Sequence, residues 1–156
     1  MNLEARLADL GLELPETAAP GARYAAVVVH GGTAWVSGQL PRIGEVVTCA
    51  GKVGRDVSIE EAQAAARVAL LRALAALRDE LGSLAAVRQI LKMNVFVASA
   101  EGFDAQSQVS DGASRLIFEL FGSQQGRHAR TSVGVSELPR NACLELDIVV
   151  ALGPPD

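Results

Sequence analysis

The chain has 156 residues, of which 49% are hydrophobic and only 4% aromatic, so we expect a single domain over residues 1–156 with a mainly aliphatic core. The formal net charge of −4 and the scattered positions of the 14 Lys and Arg residues argue against a protein whose main task is to bind nucleic acid or another polyanion. The two cysteines lie far apart without a Cys-x-x-Cys motif, and no apolar run approaches a membrane span, which argues against a zinc site and favours a cytoplasmic protein without a membrane contact.

The N-terminal part is predicted to contain a short helix, a loop and a β-hairpin. Leucines recur at helical spacing in residues 3–10, and prolines then mark a loop up to residue 20. The core would begin with an apolar, β-branched strand at residues 24–29, then a glycine turn, and a second strand at residues 33–38. We therefore expect a helix and loop in residues 1–20 and the core in residues 24–151.

The middle of the chain is predicted to hold an exposed loop and a long helix. Glycines interrupt residues 39–57, where the pair Val46-Val47 is typical of a short edge strand. Ser58 and Glu61 then have the Ser-x-x-Glu spacing with which a hydroxyl and a carboxylate cap the start of a helix. Apolar residues follow at intervals of three or four, and Gly82 ends the helical pattern.

The C-terminal part is predicted to contain three strands and a second long helix. Residues 87–97 have the β-branched composition and the length of a central strand. Residues 103–121 form the second long helical pattern, which Gly122 closes. Two more strands follow at residues 130–137 and 143–151, and we interpret them as a hairpin joined by the segment LPRNA.

This order of elements predicts an α+β fold. One mixed β-sheet would carry both long helices on the same face. The other face of the sheet would then stay apolar and uncovered in a single chain. Such a face favours burial in an oligomer.

The last two strands carry charged residues where alternation predicts apolar ones. Arg130 and Ser132 lie on one side of their strand, and Glu145 and Asp147 share one side of theirs. One interpretation is an exposed sheet face or an ion pair between Arg130 and a carboxylate. The other is an anion site, in which Arg130 binds a carboxylate and Glu145 handles a proton or a water molecule. The spacing alone leaves both open.

Four segments, taken in order, resemble one known family. They are WVSGQLP at residues 35–41, GKVGRDVSIEEAQAAARVALLRALAAL at 51–77, LKMNVFVASAEGF at 91–103 and RHARTSVGVSELPRNACLELDIV at 127–149. Together they are similar to the strand, glycine loop, central strand and C-terminal signature of the reactive-intermediate (enamine/imine) deaminase family, the YjgF/Rid type. The N-terminal extension and the segment FGSQQGRH resemble a longer subgroup of that family.

The resemblance implies roles for individual residues. Arg130 matches the arginine that grips the substrate carboxylate, and Glu145 matches the glutamate that positions water or moves a proton. Ser37 and Gly38 match a pair that lines the pocket, and Tyr24 matches a tyrosine at the pocket edge. The implied fold is a chorismate-mutase-like homotrimer with clefts between neighbouring subunits.

The resemblance also implies the chemistry. The first hypothesis is hydrolysis of short enamines or imines of the 2-aminoacrylate type to 2-keto acids and ammonia, which requires neither a metal nor an organic cofactor. Ser132 stands where many members have a pocket cysteine, which supports a second hypothesis, a non-catalytic trimer that binds small carboxylates as a sensor or partner-binding protein. A third, endoribonuclease, is opposed by the acidic charge and by the presence of only one Trp and one Tyr.

Overall fold

The computed structural model describes residues 2–18, 20–21 and 23–154. Its helices and strands, in chain order, are α1 (Leu3–Asp9), β1 (Val27–His30), β2 (Thr33–Gln39), β3 (Arg42–Ile43), β4 (Val46–Val47), α2 (Ile59–Leu81), β5 (Val87–Ala98), α3 (Gln106–Gln125), β6 (Ala129–Val135), a short 3₁₀ helix (Pro139–Asn141) and β7 (Leu144–Leu152). No helix in the described ranges is both long enough and apolar enough to span a bilayer.

Five of the strands form one mixed sheet. Their order across the sheet is β1-β2-β7-β5-β6, and only the β5–β6 pair is parallel. The helices α2 and α3 contact each other, α2 lies against β2 and β7, and α3 lies against β5 and β6. The alternate β7 residues Leu144, Leu146, Ile148 and Val150 are buried. The predicted α+β class, with two long helices on one face of a mixed sheet, is confirmed.

Small residues let the two long helices approach closely. The buried face of α2 is rich in alanine, which presents little side-chain bulk. On α3, a methyl group added to Gly112 would lie 2.7 Å from the Cα of Gln63 on α2. The helix pair therefore depends on a glycine at this crossing.

The predicted boundaries of α2 are confirmed. The Ser58 hydroxyl accepts a hydrogen bond from the Glu61 backbone N–H (3.1 Å), and the Glu61 carboxylate accepts one from the Ser58 N–H (2.8 Å). At the other end, Gly82 adopts the left-handed conformation with φ 80°, which glycine tolerates without steric cost.

Several other boundaries differ from the prediction. The first strand begins at Val27, because the preceding residues leave the sheet to line a cleft. Helix α3 begins at Gln106, and its backbone leaves the helical conformation at Gly122, as predicted, but one more turn follows, to Gln125. The strand β4 pairs with β3 in a separate two-stranded sheet and not at the edge of the main one.

The predicted C-terminal hairpin is wrong. Strand β5 lies between β6 and β7, so these two consecutive strands do not pair with each other. The central strand pairs in parallel with β6 and antiparallel with β7. The sequences of β6 and β7 alone do not reveal that a third strand lies between them.

The sheet face opposite the helices is uncovered in one chain, as predicted, but it is not uniformly apolar. A polar stripe crosses its centre, where the Asn94 amide donates to the Asp147 carboxylate (2.8 Å) and the Lys92 ammonium donates to the Thr131 hydroxyl (2.6 Å). Apolar side chains flank the stripe, including Val28 (55% exposed) and Trp35 (45% exposed). The exposed apolar part of this face therefore lies on both sides of the stripe, on β1 and β2 and at Val133 (41% exposed) on β6.

Candidate functional site

A cleft of about 540 Å³ opens beside the end of β2, where β1 no longer covers it. Four of the predicted site residues line it, namely Tyr24, Ser37, Gly38 and Glu145. Part of its wall is formed by Thr17, Ala18, Pro20 and Gly21, and the Thr17 hydroxyl connects this wall to α2 by donating to the Asp79 carboxylate. The cleft therefore joins the N-terminal loop, the sheet and α2.

A β-bulge places Ser37 and Gly38 in the cleft. Val36 pairs with Ile148 and Gln39 pairs with Leu146, so three steps along β2 match two steps along β7. Strand β2 therefore has one extra residue there. The Ser37 hydroxyl donates to the Ala25 carbonyl (2.6 Å) and its N–H donates to the Ala26 carbonyl (2.8 Å). Because its hydroxyl proton is used in this way, the Ser37 oxygen can still accept a hydrogen bond from a ligand.

Gly38 leaves the space that the Glu145 carboxyl group occupies. A methyl group at position 38 would overlap Glu145 Oε1 and would lie 2.9 Å from its Cδ atom. Any larger residue would push the carboxyl group out of its position. The glycine is therefore needed for the placement of Glu145 and not for an unusual backbone conformation.

Glu145 has the environment of a proton-transfer group. Its side chain is half-buried, and none of the described residues hydrogen-bonds its carboxyl group. Burial raises the pKa of the Glu145 carboxyl above its usual value, and repulsion from Asp147 raises it further. A raised pKa brings a carboxyl group closer to the pH at which it can both accept and return a proton.

Three arginines that the sequence analysis missed also line the cleft. Arg140 forms an ion pair with Glu45 (3.0 Å), and Arg42 lies 3.4 Å from the same carboxylate. Arg72 comes from α2 and is only 3% exposed. The available signal was the position of Arg72 as the single charged residue in the apolar run VALLRALAAL at residues 68–77.

Arg130 and Ser132 lie outside this cleft in the same chain. Arg130 stands opposite Met93, under the helices, whereas Glu145 stands opposite Phe96 on the other face of the sheet. Arg130 and Ser132 do share one side of β6, as predicted, and the Ser132 hydroxyl donates to the Ser110 hydroxyl (2.7 Å). One chain therefore does not bring Arg130 and Glu145 together.

Helix α3 holds the Arg130 guanidinium with side chains from successive turns. The guanidinium donates to the Asp111 carboxylate (2.8 Å) and to the hydroxyls of Ser114 (2.9 Å) and Ser107 (2.7 Å). Of the two interpretations left open, the ion pair with a carboxylate is therefore present. Its partner is Asp111, which the sequence analysis did not single out.

A histidine extends this network. His128 Nδ1 lies 2.7 Å from the Gly126 carbonyl, which can only accept, so Nδ1 carries the proton. Its Nε2 atom lies 2.9 Å from the Ser114 oxygen and can accept the hydroxyl proton. The Ser114 oxygen is thereby oriented to accept a hydrogen bond from the Arg130 guanidinium. The guanidinium is therefore held by Asp111 and by the Ser114–His128 pair.

The described part of the chain contains no group of three His, Cys, Asp or Glu side chains that could hold a metal ion. Its cysteines, Cys49 and Cys143, are free thiols. The chemistry that the cleft itself offers is that of a carboxyl group, a hydroxyl group and guanidinium groups.

Comparison with known proteins identifies the family. A family model described as "YjgF/chorismate_mutase-like, putative endoribonuclease" matches residues 4–151. The chain belongs to this family. The chorismate-mutase-like fold of the chain is therefore confirmed, whereas the homotrimer with clefts between subunits and the deaminase subgroup stay predictions.

Relatives match over nearly their whole length. The protein TCP17 of Trypanosoma cruzi is 43% identical over 153 residues, which are 97% of this chain and 94% of TCP17. The crystal structure of Atu1372 from Agrobacterium tumefaciens, described as of unknown function, is 40% identical with a TM-score of 0.86 and covers 96% of this chain and 91% of its own. The crystal structure of a protein from Shewanella oneidensis, described as a putative endoribonuclease, is 32% identical with a TM-score of 0.91 and covers 97% and 100%.

Proposed function

We propose that the protein hydrolyses short imines and enamines of 2-amino acids to 2-keto acids and ammonia in the cleft around Glu145. The observation that carries this proposal is the half-buried Glu145 carboxyl group, whose raised pKa and lack of a hydrogen-bond partner among the described residues leave it available for proton transfer. Imine hydrolysis needs little else, because the imine carbon is already electrophilic.

In the proposed reaction, a water molecule adds to the carbon of the protonated imine while the Glu145 carboxylate accepts a proton from that water, which gives a neutral carbinolamine. Glu145 then returns the proton to the amino nitrogen. As the carbon–nitrogen bond breaks, the carbinolamine oxygen forms the carbonyl group of the keto acid, its hydroxyl proton passes to solvent, and the nitrogen departs as ammonia. The Ser37 oxygen would accept a hydrogen bond from the imine N–H, since its own proton is donated to the Ala25 carbonyl. Such proton transfer contributes roughly 10²-fold or more to a rate.

We propose further that the protein forms a homotrimer in which Arg130 of one subunit reaches the cleft of the neighbouring subunit. There it would bind the carboxylate of the substrate. Two observations support this arrangement. Arg130 belongs to β6, an edge strand of the sheet, and its guanidinium is held in one orientation by α3. Ser132, beside it on the same strand, would contact the same ligand.

The test is the rate of ammonia release from freshly generated 2-iminopropionate and 2-iminobutyrate. The wild-type protein should accelerate release, and Glu145→Gln should abolish most of the acceleration. Glu119→Gln is the matched control, because Glu119 is a glutamate paired with Arg67 outside the cleft. Acceleration that survives unchanged in Glu145→Gln would refute the proposal.

A non-catalytic protein that binds small carboxylates is the second candidate. It is favoured by Ser132, which stands where many members of the family have a pocket cysteine and whose hydroxyl donates to the Ser110 hydroxyl. This candidate predicts that 2-keto acids bind without any acceleration of imine hydrolysis. Ribonuclease activity, which the description of the Shewanella protein suggests for that relative, finds no support here in the net charge of −4.

A further inference from the structure

Arg72 is a buried arginine without a carboxylate partner among the described residues. Its side chain is only 3% exposed, yet it lines the cleft. The hydrogen bond found for it within the described ranges runs from Nη1 to the Arg42 carbonyl over 3.3 Å, and its buried Nε has no partner there. A guanidinium group has five N–H donors, so most of its hydrogen-bonding capacity is unused.

The other charges of the cleft do not neutralise Arg72. The lining contains three arginines and two glutamates from the described part of the chain. Of the glutamates, Glu45 is paired with Arg140 and lies near Arg42, and Glu145 forms no ion pair with Arg72 within the described ranges. Burial and repulsion from Arg42 both lower the pKa of Arg72, but an arginine keeps its charge in proteins. The cleft therefore carries an excess of positive charge.

Buried charges in proteins are normally paired or hydrogen-bonded, because removing a charge from water is costly. The missing partner of Arg72 is best supplied by a ligand, since this side chain borders the open cleft. A planar guanidinium with free donors suits a carboxylate, which can accept two parallel hydrogen bonds.

We propose that Arg72 binds an acidic group of the ligand, and that the cleft therefore selects small dicarboxylates, such as the imines and keto acids of dicarboxylic amino acids. The division of roles, with Arg130 on one carboxylate and Arg72 on the other, rests on the proposed function. A cleft of about 540 Å³ is large enough for a molecule of this size.

Binding of two keto acids to the intact protein tests this assignment without any turnover. Isothermal titration calorimetry would compare 2-oxoglutarate, with two carboxylates, and 2-oxobutyrate, with one. The wild-type protein should bind 2-oxoglutarate at least about tenfold more tightly, and Arg72→Met should weaken its binding by about ten- to a hundred-fold, the worth of hydrogen bonds to a charged group. Binding of 2-oxobutyrate should change much less.

Two further variants keep the outcome decisive. Arg67→Met removes an arginine from the same helix that is already paired with Glu119, and it should keep the preference. Arg72→Gln removes the charge but keeps a polar side chain at this position, and it should lose the preference like Arg72→Met. No preference in the wild type, a preference that survives in both Arg72 variants, or an equal loss in Arg67→Met would overturn the proposal.

Thermal unfolding separates a binding role from a structural one. Removing a buried charge that has no counter-ion should leave the melting temperature of ligand-free Arg72→Met unchanged or higher. The shift that 2-oxoglutarate produces in the wild type should be absent in the variant. A large fall in the melting temperature of both neutral variants, together with a retained ligand shift, would show that Arg72 is structural. Because neither measurement involves hydrolysis, a failure here is distinct from a failure of the proposed reaction.

Discussion

Glu145 is the residue whose protonation state controls the proposed chemistry. Since burial raises its pKa above the usual value of 4.5, the active carboxylate form should be lost at a higher pH than for an exposed glutamate. We expect kcat/KM to fall as the pH decreases, with the midpoint of this fall above pH 4.5. Glu145→Gln should not show this pH dependence. A pH profile of imine hydrolysis measures both.

The same shift has a consequence for stability. A carboxyl pKa that is higher in the folded than in the unfolded chain makes the charged form unfavourable to folding, so the cost is absent at low pH and appears as pH rises through the raised pKa. Glu145→Gln should therefore be more stable than the wild type near neutral pH, and the difference should shrink as the pH falls through the raised pKa and disappear below pH 4.5. A midpoint of the fall in kcat/KM at or below pH 4.5, or equal stabilities at all pH values, would contradict the assignment.

Gly38 tests the placement of the same carboxyl group. In Gly38→Ala the added methyl group would overlap Glu145 Oε1, and a misplaced catalytic group loses rate steeply. We expect kcat/KM for imine hydrolysis to fall at least about tenfold, with cooperative thermal unfolding retained. In the double variant with Glu145→Gln, the alanine should cause no further loss, because both changes act on one group. If the double variant instead loses kcat/KM by the product of the two single losses, Gly38 does not act through Glu145.

The site was only partly predictable from single residues. Tyr24, Ser37, Gly38 and Glu145 line one cleft, and the sequence resemblance pointed to all of them. Arg72 was missed because it lies in an apolar helical run, where periodicity treats every position as packing. The pairing of Arg130 with Asp111 was missed because it joins a strand to a helix, and no sequence spacing links those two positions.

At the scale of elements, local signals specified the helix ends better than the strand pairs. The capping residues of α2 and its terminal Gly82 act on neighbouring backbone groups, so they could be read directly. Strand pairing is a long-range property, and the parallel contact of β5 with β6 places the last two strands on either side of the central one. The hairpin prediction failed for this reason.

The capping box of α2 gives a prediction at the element scale. Ser58→Ala removes the acceptor for the Glu61 N–H, which should lower the free energy of unfolding by about 1 kcal/mol. Urea denaturation measures this difference. Glu61→Gln is the matched control and should cost clearly less, because glutamine can also complete a capping box. Equal losses in the two variants, or none in Ser58→Ala, would show that the box does not stabilise the helix.

At the scale of the whole molecule, the separation of Arg130 from Glu145 decides how a complete site can form. The two side chains lie on opposite faces of the sheet, and β5 separates their strands. If both act on one substrate, they must come from different subunits. The uncovered apolar side chains near Val28 and Trp35 offer a surface for such an assembly, which light scattering should report as three times the chain mass.

Subunit mixing tests this arrangement directly. Arg130→Met and Glu145→Gln trimers should each be inactive in imine hydrolysis. If the two variants are unfolded together and refolded as an equal mixture, some sites combine an intact Arg130 from one subunit with an intact Glu145 from its neighbour. Random assortment places both intact groups in about a quarter of the sites, so about a quarter of the wild-type activity should return. Each variant refolded alone is the control. Mixed trimers without regained activity would mean that Arg130 does not complete a neighbour's cleft, and the carboxylate grip would then belong to the arginines of the same chain.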